Sequence, residues 1–195
     1  MPIARDRIAF RQSLMRIEEI INDISWRINA KTNQLNVASR AHKPVLIASI
    51  FSEILNEKEY EYKNSLVNLK YEIYPTANSA YIQINPSTFK RMMSNLINNA
   101  FGACVKNANS VVKVSLGLHD NLVEISIYDN GVGMSEEVLQ KILRNEMITT
   151  QGEGHGIGYG QIHETLQNNN GMLDIKSVVG SGTKITLIFP QIFIE

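Results

Sequence analysis

From Ile3 to Leu35 the chain contains neither proline nor glycine, and Phe10, Leu14, Ile17, Ile21, Ile24 and Ile28 stand at alternating four- and three-residue spacings. A strict 3.5-residue repeat of this length predicts a helix with an apolar seam, and such a seam is buried only against a partner helix. Ile3 and Leu35 extend the register while Arg7 and Lys31 interrupt it, so the seam runs along most of the segment. A helix this long gains little stability alone, which favours a bundle or coiled coil over ordinary packing on its own domain. The stretch from Ala38 to Pro44 closes it, because Pro44 cannot continue a helix and biases Lys43 toward extended backbone. Two units are expected: residues 1–38, the heptad helix, and residues 39–195, a compact domain.

Beyond that boundary the apolar period changes. A helix is expected through Val45 to Leu55, and then Val67, Leu69, Tyr71 and Ile73 alternate with polar Asn68, Lys70 and Glu72, the two-residue period of a strand. A short strand is expected from Ala80 to Ile84. Asn85 and Pro86 read as the N-cap and first residue of a helix reaching about Asn107. Val112, Val114, Leu116 and Leu118 alternate into a His119-Asp120-Asn121 turn, and Val123, Ile125 and Ile127 alternate out of it, giving a β-hairpin. A glycine-punctuated region, a helix near Gly158 to Asn168, and strands near Leu173 to Lys176 and Lys184 to Phe189 complete the chain. Without regular βαβ alternation, the fold class is α+β with a largely antiparallel sheet and not a doubly wound one.

The bulk properties narrow the function. With 195 residues and 44% hydrophobic content, the chain supports one full core and an appendage. Nineteen basic and nineteen acidic residues cancel, so there is no general electrostatic case for nucleic acid or an anionic membrane as partner, and any phosphate binding is local. The single cysteine, Cys104, excludes an internal disulfide and a cysteine-rich zinc site, and reads as a small buried apolar residue. No apolar run approaches the ~18 residues of a spanning helix, so a soluble, cytoplasmic location is expected.

Four elements carry the chemistry. On the helix after Pro86, Phe89, Met93, Leu96, Ala100 and Cys104 make an apolar face, and Asn95, Asn99, Gly102 and Lys106 lie on another, which stacks two carboxamides a turn apart. A carboxamide oxygen is a hard, neutral ligand suited to Mg²⁺ already held by phosphates. At the end of the Val123 to Ile127 strand comes Asp129-Asn130-Gly131-Val132-Gly133-Met134, in which a carboxylate can accept from an exocyclic amine and glycines admit close backbone approach. Next, Gly152, Gly154, Gly156 and Gly158 alternate with Glu153, His155 and Ile157 ahead of a helix, freeing backbone N–H groups to meet phosphate. Last, Gly180-Ser181-Gly182-Thr183 leads into the final strand with a hydroxyl available to a ligand.

Taken in order, NLINNA, DNGVGM, GEGHGIGYG and GSGTKITLIF resemble the N-box and three glycine boxes of the gyrase, chaperone, histidine-kinase and mismatch-repair ATPase superfamily. The likeness is greatest to its histidine-kinase branch and runs from about Ala41 to Pro190. The helix carrying RIEEIIND resembles the second helix of those kinases' dimerisation and phosphotransfer hairpin. The resemblance implies a two-layer α/β sandwich whose mostly antiparallel mixed sheet is covered by helices on one face. It also implies ATP and Mg²⁺ as cofactors, a homodimer through the heptad helix, an acceptor-histidine hairpin and a response-regulator receiver domain as partners, and no nucleic acid. It assigns Asn99 to magnesium, Asn95 to the phosphate side of the pocket, Asp129 to the adenine amino group, Gly131, Gly133 and Met134 to the space around the ring, and Thr183 to the closing of the adenine side. Gly154, His155, Gly156, Ile157 and Gly158 then form the phosphate-facing lid.

In the superfamily's hydrolases a glutamate commonly stands where Asn95 is and activates water; asparagine cannot act as that base, which favours transfer to a protein acceptor. Two departures accompany the likeness. Gly102 and Ala103 occupy positions where many such kinases carry a basic and an aromatic residue, and Lys106 is expected to supply the missing charge. Met147-Ile148-Thr149-Thr150 replaces the usual aromatic segment before the lid. None of His42, His119, His155 and His163 lies on the heptad helix, and none is expected to be the acceptor. The competing class is a nucleotide-binding module, degenerate or similar to an anti-sigma-factor serine kinase, that regulates a partner by binding.

Overall fold

A computed structural model describes residues 42–104, 109–145 and 159–194. The expected heptad helix, its dimer seam and the boundary near residue 38 lie outside these residues. In chain order the elements are β1 (Pro44–Leu46), α1 (Ile47–Glu61), β2 (Asn68–Ile73), a 3₁₀ turn (Pro75–Ala77), β3 (Tyr81–Gln83), α2 (Pro86–Ala103), β4 (Val111–His119), β5 (Leu122–Asp129), α3 (Glu136–Leu143), α4 (Tyr159–Asn168), β6 (Met172–Val178) and β7 (Gly182–Pro190). No described helix is long and apolar enough to cross a membrane.

Five strands form one sheet in the order β2-β4-β5-β7-β6, with β2 and β4 parallel and every other pair antiparallel. β1 and β3 pair separately, and Tyr81 bridges to Ile192. The alternation seen in the sequence fixes which face is covered, because paired residues point the same way. Val114, Ile127, Ile185 and Ile175 make one row across four strands, and Leu116, Ile125, Leu187 and Leu173 the next. These rows join Phe89, Met93, Leu96 and Ile97 of α2 in one hydrophobic core. Burying side chains of this size is worth about 1.5–3 kcal/mol each, which makes α2 the main cover of the sheet.

The hairpin closes through Asp120 and Asn121, both at positive φ (49° and 62°), the two-residue turn that follows the strands' own twist. Asn85 caps α2 as expected, its side chain accepting from the Thr88 N–H, with Pro86 first in the helix. Three expectations need correction. The first helix begins at Ile47 and reaches Glu61, preceded by the short strand β1, which the sequence does not signal because its partner is distant. α2 stops at Ala103, with Cys104 already extended (φ −72°, ψ 134°), so the argument that placed Lys106 on the same helical face as Asn99 does not hold. Finally, α3 went unforeseen inside the glycine-punctuated region, although Ser135 caps it by accepting from the Val138 N–H and Glu137 pairs with Lys141 at 2.7 Å.

Candidate functional site

The core face of the sheet ends in a polar row. Val112, Asp129, Thr183 and Ser177 are successive partners across β4, β5, β7 and β6. The register that buries Ile127 and Ile185 therefore buries Asp129 and Thr183 as well, at 4% and 7% exposure. Asp129 Oδ1 accepts from the Gly131 N–H at 2.9 Å. Burial pushes this carboxyl above its ordinary pKa, and the backbone N–H groups of Gly131 and Thr183 oppose the shift. No lysine or arginine among the described residues pairs with it. A carboxylate held by two backbone donors keeps lone pairs for a further one, and a neutral donor such as an exocyclic amine suits a site with little water.

The motifs that are distant in sequence converge on this row. Val132 N–H donates to Ala103 O at the end of α2 (3.0 Å), and Gly180 N–H donates to Val132 O (2.7 Å). Asn130 bridges across the strand ends, accepting from Val111 N–H and donating to Asn109 O, both at 2.8 Å. The glycines serve this convergence directly. A methyl group on Gly131 would stand 2.4 Å from Ala103 O, and one on Gly133, at φ +66°, would stand 2.1 Å from Val178 O. Their role in the structure is thus to let backbone meet backbone. Met134 N–H donates to Ser177 Oγ (2.8 Å), and Ser177 Oγ lies 2.9 Å from Thr183 Oγ1. Ser177, which the sequence did not single out, joins this polar row through its pairing with Thr183, a contact that only the sheet register reveals.

On α2, Asn95 and Asn99 are half-buried and their amides have no hydrogen-bond partner among the described residues. Asn98 between them is engaged through its oxygen. Its Oδ1 accepts from Lys58 Nζ (2.6 Å) and Tyr62 Oη (3.0 Å), and the Tyr62 ring stacks on Phe101 at 3.6 Å. This contact with α1 pins the rotation of α2 and leaves Asn95 about 60° and Asn99 about 100° round the helix from Asn98, on the same side. One turn before Asn95, Arg91 donates through Nε and Nη2 to the Gln161 oxygen, with that amide turned to face it, and so ties α2 to α4. Tyr159, the first residue of α4, is buried beside this site, and burial followed by the Asp129 charge pushes its hydroxyl up to about 12.

Lys106 and the lid residues Gly154, His155, Gly156, Ile157 and Gly158 lie outside the described residues. Among the described residues no cluster of three or more His, Cys, Asp or Glu side chains is able to hold a metal alone. Two His–acid pairs exist that reasoning from the heptad helix passed over, His119-Asp120 and His163-Glu164. In the first, His119 ends β4 and Asp120 opens the hairpin turn; in the second, a His163 ring nitrogen lies 2.7 Å from Ile142 O, which joins α4 to α3.

The fold defined here is a two-layer α+β sandwich of the histidine-kinase ATP-binding type. It superposes on the catalytic domain of histidine kinase ThkA with a TM-score of 0.66 at 17% identity, covering 78% of this chain and 97% of that one. The Acinetobacter baumannii histidine kinase AdeS gives 0.65 at 14% identity, over 92% of this chain and 82% of the other. Residues 84–192 match the histidine kinase-, DNA gyrase B- and HSP90-like ATPase family, and the chain belongs to it. Sensor protein EvgS of Escherichia coli (strain K12) is 32% identical over 115 residues, 56% of this chain and 10% of that protein. Sensor histidine kinase AtsR of Burkholderia thailandensis is 23% identical over 190 residues, 92% of this chain and 30% of AtsR. The chain thus spans at most about a third of the length of these curated relatives.

Proposed function

We propose that the chain is the ATP-binding catalytic part of a two-component sensor histidine kinase, transferring the γ-phosphoryl group of ATP to a histidine on a dimerisation hairpin that then serves a response regulator. The observation that carries this reading is the buried carboxylate of Asp129, paired with no cation among the described residues and set at the meeting point of three motifs with lone pairs still open. Asp129 accepts from the adenine amino group, Gly131, Gly133 and Met134 shape the loop beside the ring, and Thr183, held by Ser177, closes that side. Asn99 offers its carboxamide oxygen to magnesium, which takes its remaining ligands from phosphate and water; when bound, the ion neutralises phosphate charge. Asn95 supports the phosphates and, being an amide, leaves water unactivated. Gly154, His155, Gly156, Ile157 and Gly158 close over the phosphates, and Lys106 adds charge from beyond the end of α2. The heptad helix of residues 1–38 pairs with a second copy, and this soluble portion works in the cytoplasm.

Competition for a fluorescent ATP analogue tests the reading. ATP and ADP are expected to displace it, and GTP, which presents a carbonyl acceptor to Asp129 in place of an amine, at least tenfold more weakly. Equal displacement by GTP, or an unimpaired Asp129→Ala variant, would refute it.

A further inference from the structure

The face of the sheet turned away from α2 is graded in a way that nucleotide binding does not require. Its first row crosses all five strands as Lys70, Lys113, Tyr128, Lys184 and Lys176. All four lysines are exposed, and Lys113 Nζ stands 5.7 Å from the centre of the half-buried Tyr128 ring. Lys70 lies directly opposite Lys113, and Lys184 opposite Lys176, pairings that are destabilising in a sheet. Lysine on an edge strand blocks edge-to-edge association, which accounts for Lys70 on β2 and Lys176 on β6. It does not account for Lys113 and Lys184, because β4 and β7 are interior strands. Among the described residues the row's only acid within ion-pair range is Asp174, 3.8 Å from Lys176.

The following rows change character in order. Glu72, Ser115, Ser126, Thr186 and Asp174 make a flat row whose three central side chains are small hydroxyls. Gly117, Glu124, Ile188 and Met172 come next, then His119, Leu122 and Pro190. Met172 is 55% exposed and Leu122 38%. Basic and apolar margins, two rows or about 13 Å apart at ~3.3 Å per residue, therefore flank a low polar row in which Ser115 is half-buried and Ser126 and Thr186 are buried between taller neighbours.

We infer that this face docks an acidic amphipathic helix of a protein partner, lying across the strands above Ser115, Ser126 and Thr186 with its carboxylates on the lysine row and its apolar stripe on Ile188 and Met172. The dimensions agree. A helix is about 10–12 Å wide, and carboxylates at i, i+3 and i+4 recur every ~5–6 Å, close to the ~4.8 Å between strands. Four strand spacings, about 19 Å, match roughly 13 helical residues. The apolar margin of Ile188 and exposed Met172 beside the lysine row favours an amphipathic protein segment over a phosphate backbone, and Glu72, Asp174 and Glu124 on the same face confine the partner's carboxylates to the lysine edge.

A synthetic 15-residue helical peptide with a glutamate stripe beside a leucine stripe is the probe, and a scrambled peptide of equal composition is its control. Titrated into the isotope-labelled full chain at 50 mM salt, the striped peptide should shift amide resonances of Lys113, Ser126, Tyr128, Lys184, Thr186 and Ile188, and its affinity should fall several-fold at 300 mM salt. Lys113→Glu with Lys184→Glu should weaken it at least tenfold and Lys113→Gln with Lys184→Gln less, with ATP binding unchanged in both as proof of an intact fold. Equal binding of the scrambled peptide, parental affinity in both double variants, absence of binding, or tighter binding of duplex DNA or phosphatidylserine vesicles to the same residues would each overturn the proposal.

Discussion

Asp129 is expensive where it stands, and the cost has a sign that experiment can read. Its pKa is raised in the folded protein, so the native state holds the proton more tightly than the unfolded chain. Stability is then greatest below the unfolded value of about 3.8–3.9 and falls as pH rises from there through the folded value. Asp129→Asn keeps an oxygen for the Gly131 N–H and removes the buried charge. Thermal unfolding should show the variant at least as stable as the parent at pH 7 in the absence of nucleotide, with its advantage shrinking toward pH 4. Its ATP affinity should drop about 10–100-fold, the worth of a charge-assisted hydrogen bond of ~1.5–3 kcal/mol. A variant less stable than the parent at pH 7 would show that the carboxylate is held by stronger partners than its two backbone donors. As the proposed magnesium ligand, Asn99 makes a complementary prediction, because a neutral amide in that role contributes only through a bound metal. Asn99→Ala should weaken ATP at least tenfold with magnesium present and less than threefold with the metal chelated, as calorimetry would report; equal losses remove Asn99 from the metal site.

At the scale of elements, what the sequence made legible was whatever a local pattern determines. Strict alternation located β4 and β5 and set Asp129 at a strand end, and Asn85-Pro86 marked where α2 starts, whereas the burial of Asp129 and Thr183 on the core face came from the sheet register. What it hid depends on contacts between distant segments. α2 ends at Ala103 because Val132 N–H takes the Ala103 carbonyl, β1 exists only through its pairing with β3, and α3 stands between a glycine-rich stretch and the lid with only eight residues to announce it. Two glycines of similar backbone but unlike surroundings test the idea that these loops are joined backbone to backbone. Gly133 and Gly180 both have positive φ, 66° and 77°, yet a methyl group on Gly180 meets nothing within 4 Å, whereas on Gly133 it collides with Val178 O. Gly180→Ala should cost the ~1–2 kcal/mol of left-handed strain alone. Gly133→Ala should cost clearly more in denaturant unfolding and also weaken ATP, because the loop carrying Met134 must move off β6. Similar losses for the two would mean that the loop yields without disturbing the site.

At the scale of the whole molecule, binding and transfer impose different demands, and the chain meets them unequally. The groups proposed to bind nucleotide are already gathered at one end of the core face. Transfer also needs an acceptor nitrogen close to the γ-phosphate and in line with it, a geometry that exposed turns and occupied rings do not provide. His119 ends β4 beside the hairpin turn, at the strand ends opposite to Asp129, since β4 and β5 pair Val112 with Asp129 at one limit and His119 with Leu122 at the other. Eight to nine residues of strand at ~3.3 Å each put about 20 Å or more between them. His163 already has a ring nitrogen against Ile142 O. The purified chain is therefore expected to bind γ-labelled ATP without acquiring acid-labile label, whereas a separately supplied hairpin carrying the acceptor histidine should become labelled in its presence, and lose that label when Asn99→Ala replaces the parent. His163→Ala provides the decisive control, because its glutamate neighbour mimics an acceptor sequence. Acid-labile phosphate on the chain alone that disappears in His163→Ala would make α4 the acceptor and reverse the separation of binding from transfer argued for this protein.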